Sequence, residues 1–207
     1  MFYEEQPDRA MRFGDIVEGF VLSSPHVDKP SETYPVREYH IEVNRPRFAA
    51  IVTPCCSIGN KTLVLTPLIE VRPAFLKNPY FAADLTNINR RMSPEEAVAP
   101  GTWAIMPPEE KEKRLSAGKA YAFLDCFIYA PHSFLPEYTV HRKEGNLSMG
   151  YHMIEFGRMH RVECDRVIKA GQGPLETKLL QLSRQARAEL RDKIAEYFGR
   201  VPMEDDV

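Results

Sequence analysis

Four cysteines and one histidine are the residues of this chain best suited to holding a metal ion or acting as nucleophiles. Cys55 and Cys56 are adjacent, Cys126 and Cys164 lie far downstream, and His160 precedes Cys164 by four residues. This last spacing suits zinc, but adjacent cysteines do not form the CxxC pair of a zinc knuckle. The alternative is structural, with small residues in a crowded turn and two buried strand cysteines. We expect no cofactor, and a structural zinc site at these five residues is the open alternative.

A second group of residues has the chemistry to bind phosphate. Arg45 and Arg47 flank Pro46, and Asn60 and Lys61 lie in the turn that follows. A fixed guanidinium presents several N–H donors that fork onto phosphate oxygens. The formal net charge is -2, from 27 Lys+Arg against 29 Asp+Glu. A local patch of this kind, rather than the field of the whole protein, must therefore attract nucleic acid or an acidic partner.

These residues lie in and around a predicted β-hairpin. Residues 48–54 and 62–71 are almost continuously apolar, which is typical of strands buried on both faces. Gly59-Asn60, in the connection, supplies the positive φ of a tight turn. Upstream, residues 13–22 predict a first buried strand, and the polar segment 23–40, with three prolines, predicts a long exposed loop.

The rest of the chain predicts a helical insertion, further strands and a long final helix. The insertion spans 73–118, with short helices at about 79–90 and 107–117. Strands are predicted over 120–131, at 137–143 and within 150–168. The final helix spans 174–199 and carries an apolar stripe with spacings of three or four, formed by Leu179, Leu182, Ala186, Leu190, Ile194 and Tyr197. Its charged residues, which include Arg184, Arg187 and Arg191, predict a solvated face.

Length and composition indicate one domain over residues 1–207, with its β-core at about 12–72 and 119–169. The 207 residues are 43% hydrophobic and 27% charged, as in ordinary globular proteins. No run approaches the roughly 18 apolar residues of a membrane span. The N-terminal residues lack the apolar core of a signal peptide, so we expect a cytoplasmic protein with reduced thiols and no membrane contact.

The segments RFGDIVEGFVL and RFAAIVTPCCSIGNKTLVLTPLIEV together resemble the first half of the MazF/PemK family. These are small SH3-like barrels that act as sequence-specific RNases in toxin–antitoxin pairs. Residues 14–17 match the family's GDIV strand, residues 47–54 match its Arg-led second strand, Asn60 falls in its turn, and Pro67 lies near the end of its return strand. The resemblance implies an α+β, mainly β fold built on an SH3-like, PemK-like barrel, to which this chain adds the helical insertion and a C-terminal amphipathic helix.

The same resemblance implies a catalytic arginine and a homodimer. The family arginine, here Arg47, stabilises the charge that develops on the scissile phosphate. The family's Pro-x-Thr is replaced by Pro67-Leu68-Ile69, and isoleucine can neither donate nor accept a proton. We therefore expect a non-catalytic or attenuated relative that binds a protein partner, RNA or DNA, as an accessory to a bacterial defence or toxin–antitoxin system. The alternative is an active endoribonuclease in which Thr53 or Ser57 replaces the missing threonine beside Arg47.

Overall fold

The computed structural model describes residues 1–8, 10–27, 39–58, 62–76, 81, 83–90, 98, 100–117, 123, 125–134, 147–163 and 178–199. Within these ranges the chain is an α+β protein with mainly antiparallel strands, as predicted. The predicted turn at Gly59-Asn60 and the predicted strand at 137–143 lie outside the described residues.

The described strands are short and are numbered in chain order. They are β1 (Ile16–Val17), β2 (Leu22–Val27), β3 (Tyr39–Asn44), β4 (Ala49–Ile51), β5 (Thr62–Pro67), β6 (Ile69–Glu70), β7 (Cys126–Tyr129), β8 (His132–Phe134), β9 (Leu147–Met149), β10 (His152–Glu155), β11 (His160–Glu163) and β12 (Lys178–Leu180). The described helices are α1 (Pro73–Leu76), α2 (Pro100–Ile105), α3 (Pro108–Ser116) and α4 (Arg184–Gly199). None of these helices is long and apolar enough to cross a membrane.

Two antiparallel sheets share one core. The larger has the strand order β11, β5, β4, β1, β12, and the smaller has the order β6, β10, β7. The predicted hairpin is confirmed, since Ala49 pairs with Pro67 and Ile51 with Leu65. After Leu68 the return strand continues into β6, which belongs to the smaller sheet. The chain therefore passes from one sheet to the other here, and neither sheet closes on itself within the described residues.

The predicted loop 23–40 contains strand residues at both ends, so that prediction was wrong there. β2 and β3 pair along six residues, from Leu22 with Asn44 to Val27 with Tyr39. The Ser, Pro and His residues of β2 have weak intrinsic strand preference, but pairing with a neighbouring strand holds them extended. Gly19, with a φ of 82°, separates β1 from β2, so the predicted strand 13–22 is two strands.

The predicted helix 174–199 was also wrong at its start, because α4 begins only at Arg184. Residues 178–180 are buried and form β12, which pairs with β1. The Ser183 hydroxyl accepts the Ala186 N–H at 3.2 Å and caps the helix. Leu179 and Leu182 therefore precede the helix, although they contact the same core as its Leu190. The strand before Ser183 and the helix after it both bury leucines in that core. The leucine spacing therefore did not reveal where the helix begins.

The insertion is helical, and it is attached to the smaller sheet. α3 matches the predicted helix 107–117, and the described part of the predicted helix 79–90 includes a 3-10 helix, Leu85–Asn89. The Asn89 side chain donates to the Ile128 carbonyl and accepts the Ile128 N–H, each at 2.7 Å. This amide pairs with the backbone of β7 and anchors the insertion.

Candidate functional site

The described cysteines and His160 do not form a metal site. Cys55 is exposed and accepts the Phe13 N–H at 3.4 Å, and Cys56 is exposed beside it. Cys126 is fully buried in β7, and burial raises the pKa of its thiol to about 11, which disfavours the thiolate that binds metals. The His160 Nδ1 lies 3.1 Å from the Ser23 carbonyl. Among the described residues no three His, Cys, Asp or Glu side chains are placed to hold a metal ion, and Cys164 lies outside them.

The predicted phosphate-binding arginines are exposed. Arg45 and Arg47 lie between β3 and β4, and the Arg47 guanidinium is 5.2 Å from the centre of the Phe48 ring. This cation–π contact holds the Arg47 side chain against the edge of the core. Asn60 and Lys61, predicted to extend the patch, lie outside the described residues.

The predicted catalytic residues lie at opposite ends of β4. Thr53 is 4% exposed, and its hydroxyl accepts the Val64 N–H at 2.6 Å in place of a ladder hydrogen bond. The Ser57 hydroxyl lies 3.8 Å from the Cys56 sulfur. Thr53 lies six positions after Arg47 along an extended chain, which corresponds to about 20 Å. The structure therefore does not bring Thr53 or Ser57 to Arg47.

A groove that the sequence did not reveal lies between α4 and the connection after β4. Its volume is about 370 Å³. It is lined by Arg184, Arg187, Ala188 and Arg191 of α4 and by Phe13, Pro54 and Cys55 opposite them. Residues at these helical spacings share one face, so three guanidinium groups border a partly apolar groove. The arginine spacing is visible in the sequence, but the facing wall is far away along the chain and no local pattern connects the two.

The arginines of the groove are only partly compensated by protein groups. Arg191 pairs with the half-buried Asp192 at 2.8 Å. The Arg187 Nη2 donates to the Leu182 carbonyl at 2.8 Å, whereas its buried Nε has no hydrogen-bond partner. No described carboxylate lies within salt-bridge distance of Arg184 or Arg187, although the Arg187 charge acts on the buried Asp15 carboxylate. The Arg184 guanidinium is thus available to an anionic ligand, and the Arg187 guanidinium is available only in part, because it already interacts with Leu182 and Asp15.

A buried ion pair holds the two walls of the groove together. The Lys178 Nζ of β12 lies 2.8 Å from Oδ2 of Asp15, which immediately precedes β1. Lys178 also donates to the Ala10 carbonyl at 2.6 Å and to Gln181 at 2.9 Å. Burial raises the pKa of Asp15 to about 6, although the Lys178 charge acts in the opposite direction. Because Phe13 lies two residues before Asp15 and α4 follows β12, this cluster positions both walls.

Comparison of the chain with protein-family models, with curated proteins and with solved structures gives no match. The geometry and charge of the groove are therefore the guide to its function.

Proposed function

We propose that this protein binds single-stranded RNA in the groove between α4 and the connection after β4. The observation that carries the proposal is that Arg184 and Arg187 border this groove with no described carboxylate within salt-bridge distance. Guanidinium groups fork onto phosphate oxygens, so arginines along the groove can donate charge-assisted hydrogen bonds to an anionic backbone.

The apolar part of the groove favours a nucleic-acid strand over a simple anion. Phe13 offers an aromatic ring for a base, with Pro54 and Ala188 beside it. Basic grooves with aromatic side chains are typical of single-strand binding, because every base has a face that stacks. A volume of about 370 Å³ suits one nucleotide unit rather than a duplex.

The choice of RNA rests on the resemblance to the MazF/PemK family. In this proposal the two sheets are the core of an SH3-like barrel, and the passage of the β5–β6 segment between them supports that relation. The chain would be a non-catalytic or attenuated relative, acting in the cytoplasm as an accessory to a bacterial defence or toxin–antitoxin system. Arg45 and Arg47 lie at the other end of β4, about 20 Å from the groove. They would contact an RNA molecule long enough to extend beyond the groove.

The test is fluorescence anisotropy with a labelled single-stranded RNA of about a dozen nucleotides. We expect the double variant Arg184→Ala/Arg187→Ala to weaken binding at least tenfold. Its plot of log affinity against log salt should be less steep by about 0.7 for each lost phosphate contact. The control is Arg161→Ala, which removes an exposed arginine from β11, at the other edge of the larger sheet from β12. RNA binding that is absent in the wild type, or unchanged in the double variant, would refute the proposal.

An endoribonuclease is the second candidate, and two observations favour it. Continuing the register from Ala49–Pro67 places Arg47 opposite Ile69, where the family has its threonine. The His152 ring contacts the Phe48 ring at 5.8 Å, on which the Arg47 guanidinium also rests. An imidazole near this arginine is a group able to transfer a proton. If this candidate is correct, the wild type cleaves RNA, and Arg47→Ala and His152→Ala each reduce cleavage at least a hundredfold. Intact RNA after incubation with the wild type excludes it.

A further inference from the structure

The outer edge of β3 is an open strand edge with an apolar face. β3 pairs with β2 on one side, and no described strand pairs with its other side. Tyr39, Ile41 and Val43 alternate along it and are 71%, 72% and 57% exposed. His40 and Glu42 therefore lie on the opposite face of the strand. The strand YHIEVN contains neither the lysine nor the proline with which proteins commonly protect an edge.

The pairing with β2 shows which backbone groups point outward. Pro25 is paired with Ile41, and proline has no N–H to donate. A hydrogen-bonded pair exchanges two N–H···O bonds, of which proline can donate none, so Pro25 fits the non-hydrogen-bonded position, in which the N–H and C=O of Ile41 point away from β2. Tyr39 and Val43 lie two positions on either side of Ile41, so their N–H and C=O groups also point away from β2. This alternation also agrees with Ser23, the partner of Val43, whose carbonyl points away from β3 to the His160 ring.

We propose that a second copy of this chain pairs with the open edge, β3 against β3 in antiparallel orientation, with the two-fold axis at Ile41. In this register Ile41 meets Ile41, Tyr39 meets Val43, and the outward N–H and C=O groups of these residues complete a ladder. On the other face His40 meets Glu42 of the second copy, a favourable pair that occurs twice. An interface of this kind uses the same patch on both copies, as two-fold symmetry requires.

Alternative registers are less favourable. An axis at Glu42 places the two Glu42 carboxylates against each other, and like charges directly opposite are destabilising. An axis between residues 41 and 42 places the apolar face of one strand beside the polar face of the other. The charge pattern of β3 thus complements itself in the Ile41 register.

Sedimentation equilibrium of the full chain over a range of micromolar concentrations tests this interface. We expect a reversible dimer with twice the 23.7 kDa mass of the chain. Glu42→Lys places lysine opposite His40, and His40→Glu places glutamate opposite Glu42. Since each change affects two symmetric pairs, each single variant should raise the dissociation constant roughly tenfold. The double variant His40→Glu/Glu42→Lys places glutamate opposite lysine in both pairs and should restore the dissociation constant to within about threefold of wild type.

Glu112→Lys, the same charge change on the exposed surface of α3, is the matched control and should leave dimerisation unchanged. Ile41→Lys places like charges on the axis and provides a variant independent of the charge pair. A wild type that is monomeric at all concentrations overturns the proposal. So does a dimer that Ile41→Lys and both single charge variants leave intact. The β3 edge shares no residue with the groove, so RNA binding does not affect the interpretation.

Discussion

At the scale of single residues, Lys193 is the most unusual side chain of α4. It is 4% exposed, and its Nζ donates to the Ile88 carbonyl at 2.8 Å and to the Cys126 carbonyl at 3.0 Å. These hydrogen bonds tie α4 to the helical insertion and to β7. Burial lowers the pKa of Lys193 to about 8, because the charged form loses its hydration.

This pKa predicts how stability changes with pH. Between about pH 8 and the ordinary lysine pKa of 10.5, the unfolded lysine keeps its proton while the folded one releases it. The unfolded state then binds more protons, so the contribution of Lys193 to the free energy of unfolding rises with pH in this window. We expect the destabilisation caused by Lys193→Met to be larger at pH 9.5 than at pH 7.5, by on the order of 1–2 kcal/mol. Urea unfolding at both pH values measures it.

The exposed Lys113 of α3 supplies the control, since Lys113→Met should shift stability equally at both pH values. A destabilisation by Lys193→Met that stays constant or shrinks as the pH rises would contradict the lowered pKa of Lys193.

At the scale of elements, the Lys178–Asp15 pair joins β12 to the segment before β1. Both residues are buried, and the two charges lie 2.8 Å apart. Without Lys178, Asp15 must either stay charged in the interior or take up a proton, and either outcome costs far more than an exposed ion pair is worth.

We predict that Lys178→Met lowers the free energy of unfolding at pH 7 by about 3–5 kcal/mol. The double variant Lys178→Met/Asp15→Asn should be more stable than the sum of the single effects predicts, by about 1–3 kcal/mol, because the unpaired carboxylate is gone. Chemical denaturation of the four proteins of this cycle measures the coupling. Additive effects would show that the pair does not stabilise these elements.

The elements show where local sequence is informative. The hairpin β4–β5 and the helix α3 were predictable, because a continuous apolar run and a proline-led, acid-started helix are local signals. β12 was not, since Lys178, Leu179 and Leu180 fit a helical stripe until β1 and Asp15 are known to lie beside them. β2 was not either, because Ser-Ser-Pro-His owes its extended form to β3. The groove shares this difficulty, because its arginines acquire their facing wall only through these long-range pairings.

At the scale of the whole molecule, the two ends of the described chain meet. Tyr3 bridges to Leu182, and its hydroxyl donates to the Ala130 carbonyl at 2.6 Å. The Glu4 N–H donates to the Gln181 carbonyl at 2.9 Å. The N-terminal segment, β12 and the start of α4 thus form one connected region, and the arginine groove lies on it.

The position of β12 at the edge of the larger sheet also determines when the protein can fold during its synthesis. The sheet needs residues 178–180 to cover β1, and Asp15 needs Lys178 as its partner. A nascent chain that has not yet released these residues from the ribosome keeps one edge of β1 unpaired and a carboxylate without its cation. The larger sheet is therefore completed only after residues 178–180 have been translated, and until then the open edge of β1 is a surface on which chaperones can act.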